Sequence, residues 1–195
     1  MIAQKASPRT SVIVLTFNGM AHVRECIDSL INQTNSDHEI LIIDNGSKDG
    51  TPEWIETHYP QLNLIRLRKN IGFCKGMNVG VQRAKGHYVF LLNQDVKIER
   101  NCIRELVDIL DQKSEEWIGA FPKVHFYDAP MYINAYGTDW YETCQWRDTR
   151  VGLADLGQFK EPEQVFGSIF PAVMFNRAKF LEIGAFDNMF WSYNE

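Results

Sequence analysis

The stretch SVIVLTFNGMAHVRECIDSLINQ, residues 11–33, decides the fold. Residues 11–16 form a largely apolar, β-branched run, which is typical of a strand that is buried on both faces. The apolar residues that follow have the spacing of a helix with one buried side: Val23, Cys26, Ile27, Leu30 and Ile31. A buried strand that leads directly into an amphipathic helix predicts the first strand–helix unit of an α/β fold.

The same alternation extends outward along the chain to about residue 112. Strand-like runs alternate with helix-like segments at residues 39–44, 51–59, 62–67, 72–84, 87–92 and 101–110. Continuous apolar strands separated by helices predict a three-layer sandwich around a mainly parallel sheet. The pattern loosens after Trp117, and residues 126–164 indicate long loops or a hairpin.

Length and composition limit the class of protein. The 195 residues are 45% hydrophobic, which is enough for one core, so we expect a single domain over residues 1–195. A net charge of −5 argues against a nucleic-acid partner. Four cysteines without a CxxC pair argue against a zinc site and suit a reducing compartment. With no signal-like apolar segment near the start, we expect a cytoplasmic protein.

Small polar residues follow three of the predicted strands. They are residues 16–18 (Thr-Phe-Asn), 44–47 (Asp-Asn-Gly-Ser) and 93–95 (Asn-Gln-Asp). Ligands of open α/β sheets bind beyond the carboxyl ends of the strands, so this pattern predicts a binding site there. The alternative is that these residues are merely solvated loop ends.

The glycines argue against two common nucleotide sites. The sequence has no Walker A motif and no G-x-G-x-x-G after the first strand, which weighs against a dinucleotide oxidoreductase. Gly72, Gly76 and Gly80 instead clear one face of a predicted helix. Such a face suits either the close approach of a ligand or tight packing of the helix, and both alternatives stay open.

Five motifs, taken in order, resemble a known family. They are SVIVLTFNG (11–19), ILIIDNGSKDGT (40–51), NIGFCKGMNVG (70–80), FLLNQDV (90–96) and IGAFDNMFWSYNE (183–195). Together they resemble the inverting nucleotide-sugar glycosyltransferases of family 2, which have a GT-A fold, and among these the rhamnosyl- and galactofuranosyl-transferase-like branch. The resemblance implies transfer of a sugar from a UDP- or dTDP-sugar to a glycan or lipid-linked acceptor in cell-surface polysaccharide synthesis. Residues 11–112 would be the nucleotide-sugar-binding half and 113–195 the acceptor-side half.

The resemblance also implies roles for the residues at the strand ends. Asp44 would accept a hydrogen bond from the imide N–H of uracil or thymine; the alternative is an Asx-turn in residues 44–47, and one side chain can fill both roles. The full set implied for nucleotide binding is Thr16, Asn18, Asp44, Asn70, Gly72, Asn78 and Asn93. Arg68 or Lys69 would offset phosphate charge.

A divalent cation, Mg²⁺ or Mn²⁺, is the implied cofactor. The family places an Asp-x-Asp motif after its fourth strand, and this chain has Asn93-Gln94-Asp95 there. Asp95 matches the second carboxylate and is the expected metal ligand, with Asn93 as a neutral neighbour. One protein carboxylate suffices if the diphosphate supplies further oxygens. The alternative is that Asp95 only caps the strand end.

Inversion requires a base that takes the proton of the acceptor hydroxyl. The family uses an aspartate in a Glu-Asp or Asp-Asp pair, and Glu195 matches the first member of that pair. The aspartate itself would be residue 196, so we expect a truncated chain with an incomplete acceptor side, in which Glu195 can substitute.

Two other functions compete with transfer. A nucleotide-sugar-binding domain without turnover fits a missing base. A nucleotidyltransferase is disfavoured because residues 16–26 do not form a glycine-rich basic loop. The apolar run 165–175 reads as a core strand or as a surface that faces a membrane, so we also expect peripheral association with the inner face of the cell membrane.

Overall fold

The computed structural model describes residues 7–113, 117–142, 145–167 and 171–191. The chain divides into two compact units, one formed by Met1–Ala120 with Ala172–Glu195 and the other by Phe121–Pro171. A compact unit can be a lobe of a single domain, so the expectation of one domain over residues 1–195 stays a prediction. Among the described residues, no helix is both long enough and apolar enough to span a bilayer.

The described chain contains ten strands and five helices. The strands are β1 (Thr10–Thr16), β2 (His38–Asp44), β3 (Asn63–Arg66), β4 (Tyr88–Asn93), β5 (Gly119–Ala120), β6 (Val124–His125), β7 (Ile133–Ala135), β8 (Thr138–Tyr141), β9 (Gln145–Asp148) and β10 (Ala172–Asn176). The helices are α1 (Val23–Ile31), α2 (Thr51–His58), α3 (Phe73–Arg83), α4 (Cys102–Gln112) and α5 (Arg177–Glu182).

The first unit is built on a six-stranded sheet in the order β3-β2-β1-β4-β10-β5. Strands β1 to β4 are parallel, whereas β10 runs antiparallel to both β4 and β5. In this register Thr16 pairs with Asp44, and Leu15 pairs with Asn93. The predicted α/β fold with a mainly parallel sheet is confirmed, and the polar ends of β1, β2 and β4 share one edge.

Alternate residues of β1 pack against opposite helix layers. Val12 and Val14 belong to a buried cluster with α1, α2 and α4. On the other face, a Cβ on Gly80 of α3 would lie 2.4 Å from Ile13, and a Cβ on Gly76 would lie 2.6 Å from Leu15. At Gly76 and Gly80, tight packing of the helix on the sheet is therefore the correct alternative.

The second unit contains two small antiparallel pairs, β6–β7 and β8–β9. Strands β8 and β9 form the hairpin that was one of the two predictions for residues 126–164. The guanidinium of Arg150 lies 4.1 Å from the ring centroid of Tyr136 and 4.8 Å from that of Phe159. A second polar cluster joins Lys123 and His125 to the carboxylate of Asp155. These contacts stabilise a unit in which few of the described apolar side chains are buried.

Candidate functional site

Two cavities open at the carboxyl edge of the parallel strands in the first unit. The β2–β3 cavity has a volume of ≈ 350 Å³ and is lined by Asp44, Gly46, Ser47, Lys48, Arg66, Leu67 and Arg68. The β1–β4 cavity has a volume of ≈ 240 Å³ and is lined by Leu15, Phe17, Asn45, Asn70, Gly72, Phe73, Asn93, Gln94, Asp95 and Trp191. Six residues predicted from the sequence, two in the first cavity and four in the second, are among these: Asp44, Arg68, Asn70, Gly72, Asn93 and Asp95.

Asp44 is the buried acid of the β2–β3 cavity, and it is only 2% exposed. Its Oδ2 accepts hydrogen bonds from the backbone N–H groups of Gly46, at 3.3 Å, and Ser47, at 3.2 Å, so the Asx-turn is present. Within the described chain its Oδ1 has no hydrogen-bond partner. An unpaired buried acceptor costs about 1–3 kcal/mol, so this oxygen suits an N–H donor from a ligand. Because Oδ1 has less than 1 Å² of accessible surface, the donor reaches it only after a local adjustment of the cavity wall.

Thr16 lies beside Asp44 in the register of β1 and β2, so the two side chains share a face of the sheet. Thr16 is fully buried, and its Oγ1 also lacks a hydrogen-bond partner among the residues that the structure describes. Thr16 does not line either cavity. Thr16 is therefore a buried neighbour of Asp44 and does not form part of the cavity surface.

Asn18 forms hydrogen bonds with the loop that follows β2 and does not line either cavity. Its φ of +49° is left-handed, and its backbone N–H donates to the Ser47 hydroxyl at 2.9 Å. Its Oδ1 accepts a hydrogen bond from the Lys48 backbone N–H at 2.9 Å. The Met20 backbone N–H adds a bond to the Asp49 carboxylate at 3.1 Å. These bonds fix the loop around Asp44, so the structure assigns Asn18 to positioning that loop.

Basic side chains surround the β2–β3 cavity. Lys48, Arg66 and Arg68 all line it, whereas Lys69 does not. Arg66 forms ion pairs with Glu53 and Glu56, and the hydrogen bond that it donates to the Glu53 carboxylate raises the pKa of the Arg66 guanidinium. The cavity therefore combines a buried acid with cations at its rim, which suits a ligand that has an N–H donor and an anionic group.

Asn45 lines the β1–β4 cavity and fixes one of its walls, and sequence reasoning missed it. The side chain is 3% exposed, and its Nδ2 donates to the Gly72 carbonyl at 3.1 Å and to Asn70 Oδ1 at 3.2 Å. Its Oδ1 accepts a hydrogen bond from the Ile71 backbone N–H at 3.0 Å. The only available signal was its place directly after Asp44. This carboxamide holds segment 70–72 as a wall of the β1–β4 cavity.

The end of β4 forms the opposite wall. Asn93 and Asp95 line the β1–β4 cavity together, and Asp95 is exposed. Gln94 Oε1 accepts from the Phe17 backbone N–H at 2.9 Å, and its Nε2 donates to the Phe17 carbonyl at 3.2 Å. Gln94 thus ties the ends of β1 and β4 together, a role that the sequence did not indicate. Burial, with the nearby charge of Asp95, raises the pKa of the Cys26 thiol to about 12.

The donor atoms of this wall are hard oxygens, which Mg²⁺ and Mn²⁺ prefer. Asp95 supplies one carboxylate, and Asn93 and Asn70 line the same cavity with amide groups. In the described ranges, no group of three or more His, Cys, Asp or Glu side chains could hold an ion. The residues therefore fit a cation that takes most of its ligands from a bound diphosphate and water, and they do not fit an all-protein site.

Asn78 does not line either cavity. Asn78 is 8% exposed, and its Nδ2 donates to the Phe186 carbonyl at 2.8 Å and to Asn188 Oδ1 at 3.1 Å. Its Oδ1 accepts from the Phe186 backbone N–H at 3.2 Å. The structure thus uses Asn78 to fasten the segment after α5, because that side of α3 faces this segment and not the cavities. Glu195 lies outside the described residues.

Comparison with known sequences gives one family and several relatives. The profile of the family described as Glycosyl transferase family 2 matches residues 11–184. An uncharacterized glycosyltransferase of Rickettsia typhi is 34% identical over 106 residues, which are 54% of this chain and 33% of that protein. Chondroitin synthase of Escherichia coli is 29% identical over 106 residues, 53% of this chain and 16% of the enzyme. The chain thus spans a third or less of the length of these two relatives.

Two solved structures are similar in fold. Staphylococcus aureus TarS 1-349 in complex with UDP-GlcNAc superposes with a TM-score of 0.61 at 21% identity, covering 90% of this chain and 47% of that one. The mannosyltransferase PcManGT of Pyrobaculum calidifontis in complex with GDP-Man and Mn²⁺ gives a TM-score of 0.60 at 21% identity, covering 94% and 49%. At this identity the similarity concerns the fold, and it agrees with the predicted GT-A architecture.

Proposed function

The chain belongs to glycosyltransferase family 2, and from that premise we propose that it transfers a sugar from a UDP- or dTDP-sugar, with inversion, to a glycan or lipid-linked acceptor of a cell-surface polysaccharide. The observation that carries this proposal is the placement of two carboxylates at the ends of the strands that flank β1: Asp44 is the last residue of β2, and Asp95 follows the end of β4. Neighbouring strands are about 4.8 Å apart, so these strands are separated by about 10 Å. A nucleoside diphosphate has the length to reach from one cavity to the other.

The β2–β3 cavity is the proposed base site. Its buried Asp44 Oδ1 is an acceptor in need of an N–H donor, as far as the described residues show. Uracil and thymine present one imide N–H between two carbonyl oxygens, which matches a single carboxylate oxygen. Lys48 and Arg68 at the rim offset the charge of the phosphates that follow. UDP-GlcNAc bound to TarS is consistent with this base, whereas GDP-Man bound to PcManGT makes guanine the competitor to test.

The β1–β4 cavity is the proposed site of the diphosphate and its cation. Asp95 would hold Mg²⁺ or Mn²⁺, and Asn93 would orient the neighbouring sugar or ribose. When bound, the cation stabilises the charge that develops on the departing diphosphate. The Mn²⁺ present with PcManGT supports a divalent ion in a protein of this fold.

The acceptor side completes the proposal. We assign the base to Glu195, which would take the proton of the acceptor hydroxyl. Residues 11–112 remain the proposed nucleotide-sugar half, and residues 113–195 the proposed acceptor half of a single domain. A polysaccharide or lipid-linked acceptor agrees with the relative named chondroitin synthase, and it would bring the protein to the inner face of the cell membrane.

A thermal-shift screen tests the donor. UDP-, dTDP- and GDP-sugars are compared with and without Mn²⁺, and we expect UDP- or dTDP-sugars with Mn²⁺ to give the largest shift. A ligand at a hundred times its Kd stabilises the native state by about 2.7 kcal/mol. Stabilisation by GDP-sugars alone would contradict the role of Asp44. Binding of UDP-sugars without transfer to any acceptor would favour the nucleotide-sugar-binding alternative.

A further inference from the structure

Trp191 is an exposed aromatic wall of the β1–β4 cavity. Its backbone carbonyl accepts a hydrogen bond from the Phe73 backbone N–H at 2.6 Å, which fixes the residue at the start of α3. The residue is 61% exposed although it belongs to the most apolar class of side chains. Tryptophan is highly buried on average, so an anchored tryptophan at the mouth of a cavity indicates a surface that a ligand covers.

The ring of Trp191 is held against Gly72. A Cβ on Gly72 would lie 3.1 Å from Cδ2 and 3.2 Å from Cε3 of the indole, and 2.9 Å from the Trp191 carbonyl oxygen. Gly72 also has a φ of +89°, which disfavours any residue with a side chain. The glycine thus lets the indole pack directly on the backbone, which orients the ring without covering it.

Trp191 shares its cavity with Asp95 and Asn93. The cavity volume of ≈ 240 Å³ is below the range of about 300–1,000 Å³ that is usual for drug-sized ligands, so it has room for one ring beside a phosphate but not for a whole nucleotide sugar. If Asp95 holds the diphosphate through a cation, two rings are bonded to that diphosphate, the ribose and the donor sugar. The ribose is also bonded to the base, which we place in the β2–β3 cavity, so the ring that remains for the β1–β4 cavity is the donor sugar.

We propose that Trp191 is the wall on which the donor sugar packs, with the C–H face of the sugar ring against the indole. This inference rests on the proposed function and adds a specificity residue to it. The face of an aromatic ring is electron-rich and attracts the weakly positive hydrogens of a sugar's C–H groups. The hydroxyl groups of the sugar would then point towards the amide groups of Asn93 and Asn70, which line the same cavity.

Isothermal titration of four proteins in the presence of Mn²⁺ tests the proposal. They are the wild type, Trp191→Ala, Trp191→Phe and the control Met189→Ala, a residue of the same segment that is 90% exposed and does not line the cavity. Each is titrated with UDP, UDP-glucose, UDP-galactose and UDP-GlcNAc, and with dTDP, dTDP-glucose and dTDP-rhamnose. We expect the Kd of UDP to stay within about twofold in all four, because the proposal places the indole against the sugar and leaves the binding of UDP to Asp44 and Asp95.

The sugar nucleotide that the wild type binds best is expected to bind Trp191→Ala about fivefold more weakly, and Trp191→Phe to recover most of this loss. Equal weakening of UDP and its sugars in Trp191→Ala would overturn the proposal in favour of a packing role. An unchanged Kd for every UDP-sugar, or an equal loss in Met189→Ala, would overturn it as well. Failure of the wild type to bind any nucleotide would instead overturn the proposed function, on which the inference rests.

Discussion

Two carboxylates, Asp44 in the first unit and Asp155 in the second, contrast in how their oxygens are used. Asp155 accepts hydrogen bonds from Lys123, from His125 Nε2 at 2.8 Å and from the Gly157 backbone N–H at 3.0 Å. Asp44 is more deeply buried, yet one of its oxygens is unpaired as far as the described chain shows. A fully bonded carboxylate stabilises the protein by itself, whereas a buried and partly bonded one indicates a ligand that completes it. The following variants test this difference.

Asp95→Ala is expected to have the largest effect. The substitution removes the only carboxylate among the residues that line the β1–β4 cavity. We expect it to abolish the gain in UDP affinity that Mn²⁺ produces and to lower the rate of sugar transfer about a hundredfold or more. Asp108→Ala, on the exposed side of α4, is the control. A Mn²⁺-dependent gain that survives in Asp95→Ala would show that the cation is held elsewhere.

Gly46→Ala and Gly152→Ala form a matched pair across the two units. Their φ angles are +81° and +80°, so the cost of the left-handed backbone is the same, about 1 kcal/mol. A Cβ on Gly46 would lie 2.6 Å from the Lys69 carbonyl carbon, whereas a Cβ on Gly152 meets no described atom within 4 Å. In urea unfolding, we expect the free energy of unfolding to fall by about 3 kcal/mol in Gly46→Ala and by about 1 kcal/mol in Gly152→Ala. Equal losses of unfolding free energy in the two variants would show that the loop after β2 moves to accommodate the added Cβ at little cost.

Asp44→Ala is expected to weaken UDP binding about tenfold, because a hydrogen bond to a charged group contributes about 1.5–3 kcal/mol. The sharper measurement compares UDP with N3-methyl-UDP, which has no imide N–H. The wild type should discriminate against the methylated nucleotide, and Asp44→Ala should not. Discrimination of the same size in both proteins would remove the base contact from Asp44.

Asp155→Asn is expected to have the smallest effect and to depend on pH. Hydrogen bonds from Lys123, His125 and the Gly157 N–H lower the pKa of the Asp155 carboxyl below its usual value. Its contribution to stability is therefore complete above the unfolded-state pKa of about 3.9 and is lost as the pH falls towards the folded-state value. We expect the Tm difference between wild type and variant to shrink below about pH 4.

Asp128→Asn, an exposed carboxylate of the same unit, is the control for that series. Nucleotide binding should be the same in Asp155→Asn and the wild type, because the Asp155 carboxylate already has its partners within its own unit. A Tm difference that stays constant across the acid range would contradict the assignment of the stabilisation to this carboxylate.

The fold was readable from sequence because its signals are local. The strand that ends at Thr16 and the helix that begins at Val23 are recognised from the spacing of apolar residues over a few positions. The carboxyl ends of parallel strands lie at one edge of the sheet, so the residues that follow them are brought together. The placement of Asp44 and Asp95 at that edge follows from this rule. Residues 126–164 have no such period, so the chain could only be described there as loops or a hairpin.

The contacts within the site were not readable, because they join residues that are distant in sequence. Asn78 was expected to bind the nucleotide, but its partners at 186 and 188 are 108 and 110 residues away. No role was predicted for Gln94, the middle residue of the Asn-x-Asp pattern. Its side-chain amide forms hydrogen bonds with the backbone of Phe17, 77 residues away. Helical periodicity tells which residues share a face, but it does not tell what that face meets.

The short ends of the main sheet have a consequence for aggregation. One end is β3, with four residues, and the other is β5, with two. An edge strand exposes unpaired backbone groups to which another chain can add a strand, and short edges limit this addition. On β3, Arg66 also forms ion pairs with Glu53 and Glu56, so charged side chains at that edge hinder the addition of another strand. A sheet that ends in this way offers little free backbone for edge-to-edge aggregation.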